Sequence, residues 1–76
     1  MQVEEAFGVV LRRLRTERRL TQEQLGFEAG LRRTFISSLE LGEKQPSLGT
    51  IFKLSCALGV SLGGFFELID LEMTSS

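Results

Sequence analysis

Histidine is absent from this 76-residue sequence, and cysteine occurs once, at Cys56. A disulfide framework within the chain is thereby excluded, as is a zinc site built from cysteine and histidine. Without histidine there is also no Ser/His/Asp or Cys/His catalytic arrangement. No phosphate-cradling glycine loop and no cluster of metal ligands takes its place. The sequence therefore points away from an enzyme, a metal centre, a cofactor or a small-molecule ligand. No apolar run approaches the roughly 18 residues of a membrane span, and the N-terminus lacks the basic-then-apolar order of a signal peptide. A cytoplasmic protein with no membrane partner is expected. Glycine- and serine-rich linkers, repeats and low-complexity tracts are missing too, so residues 1–76 read as one domain. Strand-like alternation of apolar and polar residues is also missing, whereas helical spacing recurs throughout.

What is present suits a small folded globule, since 42% of the residues are hydrophobic. A chain this short buries proportionally little surface and is left with only a few kcal/mol of stability, so self-association would help it. The net charge of −1 is unremarkable, but its distribution is not. From Arg12 to Arg33 there are seven arginines against three glutamates, a local balance of +4, whereas from Glu67 onward there are only acids. Such a basic segment either binds phosphates or simply solvates helix faces; charge alone leaves both readings open.

Periodicity and capping signals divide the chain into five helices. The first is predicted from about Val3 to Arg19, with Val3, Phe7, Val10, Leu11 and Leu14 on one face. Thr21 reads as an N-cap, with Gln24 completing a capping box for a short helix that ends near Gly30. A third helix follows from about Arg33 to Leu41, stopped by Gly42 in the left-handed conformation. After a polar loop ending at Pro46, Ser47 caps a fourth helix with Leu48, Ile51, Leu54 and Leu58 on one face, closed by Gly59. Ser61 caps a fifth, from Leu62 to about Leu71. Leu25, Ala29, Leu31, Ile36 and Leu39 are spaced to fold the second and third helices tightly together. Gly26 lies at their closest approach and Gly30 at the turn, where a left-handed backbone favours glycine. Such a pair leaves its second helix prominent, able to lie in a DNA major groove.

The run LTQEQLGFEAGLRRTFISSLELGEKQPSLGTIFKLSCALGVSL, Leu20 to Leu62, resembles the Xre / Cro–CI family of helix-turn-helix regulators, and FGVVLRRLR upstream resembles that family's first helix. The likeness covers Phe7 to Phe66 and includes relatives that act as controllers of restriction–modification systems. It implies an all-α, five-helix lambda-repressor-like fold that binds double-stranded DNA, with the third helix reading bases. Arg33, Thr34, Ser37 and Ser38 then face outward. Arginine bonds bidentately to guanine, and the hydroxyls suit thymine methyls or base edges. Phe35, Ile36 and Leu39 are expected to face inward. Arg32 stands where relatives often carry a capping Ser or Thr, which makes it a candidate phosphate contact.

Thr21 and Gln22 open the second helix, where free backbone N–H groups and the helix dipole favour a phosphate oxygen. Lys44 in the loop is a further phosphate candidate, or an uncommitted surface lysine. The resemblance also implies a structural ion pair between Arg15 and Glu40, tying the first helix to the third. The fifth helix carries more apolar residues than its own core needs. Residues 62–76 are expected to form a homodimer interface through Leu62, Phe65, Phe66, Leu68, Ile69 and Met73. Gly63 and Gly64 depart from the polar residues commoner there. Cys56 is expected to be a buried thiol. An antitoxin-type protein whose main partner is another protein is the alternative to the DNA-binding regulator.

Overall fold

The computed structural model describes residues 1–75, and among them there are five helices and no strand. They are α1 (Val3–Glu17), α2 (Gln22–Ala29), α3 (Arg33–Glu40), α4 (Leu48–Leu58) and α5 (Leu62–Ser75). None is long and apolar enough to cross a membrane by itself.

Most of the helix ends rest on identifiable chemistry. The Gln2 N–H donates to the Glu5 carboxylate at the start of α1. Thr21 and Gln24 exchange bonds in a capping box, Gln24 N donating to Thr21 Oγ1 at 3.0 Å and Thr21 N to Gln24 Oε1 at 2.8 Å. Ser47 and Ser61 likewise accept from the Thr50 and Gly64 N–H groups. Gly30, Gly42 and Gly59 all take positive φ at helix ends, between 71° and 74°. α3 begins differently: Arg32 has extended backbone angles and makes no side-chain capping bond.

The core is built from Ala6, Phe7, Val10, Leu11 and Leu14 of α1, with Leu25, Ile36, Leu39, Leu54, Leu58 and Phe65 from the other helices. α1 packs on α3 and α5, while α4 closes the remaining side against α2 and α5. Phe7 and Phe65 stack at 5.3 Å between centroids with planes 7° apart, fixing α5 on α1. The Arg13–Glu72 ion pair, 2.7 Å long, ties the same two helices at the surface. Gly8 sets the crossing of α1 with α3: a Cβ there would stand 2.5 Å from the Glu40 carbonyl oxygen and 2.6 Å from that of Leu39. Gly26 does the same between α2 and the following turn, 2.5 Å from the Leu31 carbonyl oxygen.

Three expectations from the sequence are corrected here. Cys56 is exposed rather than buried. Its neighbour Ser55 takes the inward position on α4, satisfied by donating to the Phe52 carbonyl at 2.7 Å. Leu48, assigned to the inner face of α4, is 66% exposed. The fifth helix also runs on past Leu71 to Ser75, with Met73 packed against the core.

Candidate nucleic-acid interface

α2 and α3 meet through a turn in which Gly30 ends one helix and Leu31 N donates to Gly26 O at 2.7 Å. Ile36 and Leu39 anchor α3, each with no exposed surface, and Phe35 is half-buried beside them. The opposite side of α3 holds Thr34, Ser37 and Ser38, with Arg33 at its N-terminal edge. Arg32, Arg33 and Thr34 are exposed and the two serines half-buried. Ser38 Oγ donates back to the Thr34 carbonyl at 3.1 Å, and the hydroxyl keeps its capacity to accept. A hydroxyl surface edged by guanidinium groups thus projects from the fold on a short, well-anchored helix.

The anchoring comes from charge as well as packing. Arg15 Nε donates to Glu40 Oε2 at 2.6 Å and a terminal nitrogen of the same guanidinium to Oε1 at 3.0 Å. Its other terminal nitrogen donates to the Leu20 carbonyl at 2.8 Å. The Arg15 side chain is 12% exposed and that of Glu40 5%. The Glu40 hydrogen bond raises the Arg15 pKa above the ordinary arginine value; burial opposes this and the carboxylate charge reinforces it.

Gln22 joins the network from α2, its Nε2 donating to Glu40 Oε1 at 3.1 Å. One carboxylate therefore links α1, α2 and α3. The sequence assigned Gln22 only to a phosphate; the structure also gives its amide an internal partner. Thr21, the preceding residue, is exposed with its hydroxyl capping α2.

Lys44 stands with its ammonium 5.8 Å from the Phe35 ring centroid, so the loop after α3 is held beside that helix by a cation–π contact. Of the seven arginines, only Arg13 and Arg15 are in ion pairs among the described residues. Arg12, Arg18, Arg19, Arg32 and Arg33 make no ion pair with a carboxylate among the described residues.

The residues assigned to a partner-facing surface divide into three groups by burial. Phe65 and Ile69 are core residues, 0% and 7% exposed, and are withdrawn from that surface. The cause is the Phe7 stack, a long-range contact that draws this side of α5 inward. Leu68 and Met73 are half-buried against the same core, and Leu62 is half-buried at the helix start. Phe66 stays 42% exposed and lines shallow concavities with Val3 on α1 and Ile51 on α4.

The Helix-turn-helix family profile matches residues 11–65, which takes in α2, α3 and α4 whole. The chain belongs to the helix-turn-helix family of Xre type. Control protein C.BamHI of Bacillus amyloliquefaciens is 46% identical over 55 residues, 71% of this chain and 68% of that protein. Control protein C.MunI of a Mycoplasma species is 39% identical over 67 residues, 87% of this chain and 90% of that protein. Among solved structures, the restriction–modification controller protein C.Esp1396I, as a tetramer on its natural 35 base-pair operator, superposes with a TM-score of 0.89. It is 27% identical, with 97% of each chain covered. The helix-turn-helix segment found in the sequence is thus the part of the chain that the family shares.

Proposed function

We propose that this protein is a sequence-specific, duplex-DNA-binding regulator of transcription that acts in the cytoplasm as a homodimer on an inverted-repeat operator. The observation that carries this reading is α3 itself. Its outward side chains are a guanidinium group and three hydroxyls, and it is held rigidly by the Arg15–Glu40–Gln22 network. Arg33 reads a guanine through O6 and N7, while Thr34, Ser37 and Ser38 meet neighbouring base edges or a thymine methyl. Arg32, Lys44 and the start of α2 at Thr21 and Gln22 grip the flanking phosphates and set the register of α3. The operator-bound relative C.Esp1396I supports this docking. The antitoxin-type alternative has no comparable support, since the matched control proteins are named for regulation.

Dimerisation uses the exposed apolar strip around Phe66 and Val3, bordered by Glu67 and Asp70. Two α3 helices then face successive major grooves about 34 Å apart, or a multiple of that spacing.

Selection of bound sequences from a random duplex pool, with the mass of the complex measured by light scattering, tests the proposal. An enriched inverted repeat occupied by two or four protomers is expected. A folded protein that enriches no sequence would overturn it.

A further inference from the structure

Arg19 is the one residue other than glycine with a positive φ among the described residues, at 58°. It sits in the turn after α1, where Arg19 N donates to Thr16 O and Leu20 N to Arg15 O. At Gly30, Gly42 and Gly59 the chain makes the same left-handed departure with glycine. A side chain in that conformation clashes with its own carbonyl, and helix ends select glycine for this reason. The turn itself thus gains nothing from arginine. A backbone held in an unfavourable region points to a use for the side chain.

That side chain has no polar partner among the described residues. It is exposed and makes no ion pair or hydrogen bond with any described residue. The turn that carries it is nevertheless locked to α3. Leu20 gives its carbonyl to Arg15, Arg15 holds Glu40 at the end of α3, and Gln22 holds Glu40 from the other side. Arg19, in the turn that leads into α2, therefore keeps a fixed relation to the base-reading helix.

We propose that Arg19 is a DNA-phosphate contact, which secures the duplex on the side of α3 where α1 passes into α2. The inference rests on the DNA-binding reading above and adds to it a residue that serves binding at the expense of the fold. Its contribution is independent of base sequence, and through counterion release it governs how steeply affinity falls with salt.

Arg19→Gly separates binding from folding, because the two effects have opposite signs. Removing the strained side chain should raise Tm by about 3–6 °C. Affinity at 0.1 M salt should fall roughly eightfold per bound protomer, alike for the selected duplex and for a scrambled one. The slope of log K against log salt should become shallower by about 0.9 per protomer. Arg19→Lys should retain that slope. A stabilised Arg19→Gly protein with unchanged affinity and slope would overturn the proposal, as would an Arg19→Lys protein as weak as Arg19→Gly. Failure of the unaltered protein to bind either duplex would instead overturn the DNA-binding reading, and this inference with it.

Discussion

Arg15 and Glu40 are joined by two hydrogen bonds between α1 and α3, and the backbone of the same Glu40 is where Gly8 brings the two helices together. The pair lies largely out of water, and its carboxylate also accepts the Gln22 amide. The helix that presents Arg33 is therefore oriented by a charge network as well as by Ile36 and Leu39. Two-pronged pairing of this kind specifies direction as well as proximity.

Arg15→Ala leaves the Glu40 carboxylate buried without its charge partner. The expected loss is about 3–5 kcal/mol, a large share of the stability of a domain this small. A fall in Tm of well over 10 °C should follow, and an unchanged Tm would refute the role. Arg15→Met combined with Glu40→Leu should be less damaging than Arg15→Ala, since no charge is stranded. Because the pKa of Arg15 is raised on folding, its contribution is complete at neutral pH and lost only as pH climbs through the strongly alkaline range.

Gly8→Ala should destabilise by roughly 2–3 kcal/mol, because the added methyl meets backbone oxygens that cannot move without separating α1 from α3. Gly63→Ala has nothing within 4 Å of its new carbon and lies inside a helix. It should stabilise by up to about 0.5–1 kcal/mol. Chemical denaturation of both variants checks the contrast; equal effects would show that the close approach at Gly8 is not what matters.

Phe66 and Phe65 are adjacent yet should behave oppositely. Phe65→Ala empties the ring stack on Phe7 and should cost about 3–5 kcal/mol. Phe66→Glu places a charge on the exposed strip beside Glu67 and Asp70 and should leave helicity intact. Sedimentation should then show monomers, whereas the unaltered protein should sediment as dimers. Dimers that survive Phe66→Glu would locate the interface elsewhere.

Much of this was legible in the sequence because it is local. Thr21 with Gln24, Ser47, Ser61 and the three capping glycines are each recognisable within four residues, and the helices begin where those signals stand. What the sequence does not disclose depends on distant partners. Gly8 is unremarkable in a helical sequence until α3 lies against it, and Phe65 looks like surplus surface until Phe7 meets it. Cys56 misleads for another reason. Hydrophobicity ranks it above Ser55, but the phase of α4 turns Ser55 inward, where a backbone carbonyl satisfies its hydroxyl. In the candidate interface, residue identity along α3 is readable. The internal partner of Gln22 and the left-handed backbone of Arg19 are not.

Cys56 follows from that correction. Cys56→Ser should change stability by less than about 0.5 kcal/mol, as for other exposed positions. A thiol-specific reagent should label the native protein completely without unfolding it. Protection until denaturation would contradict the exposed placement of this side chain.

The central claim is that α3 reads bases, and titration of the Arg33→Ala protein against its selected operator and a scrambled duplex tests it most directly. Loss of the bidentate guanine contact should weaken operator binding by roughly 1–3 kcal/mol per half-site and relax specificity at one base pair in each. Scrambled DNA should lose much less. Equal losses on both duplexes would make Arg33 a phosphate contact, and no loss on either would contradict the assignment of α3 as the reading helix.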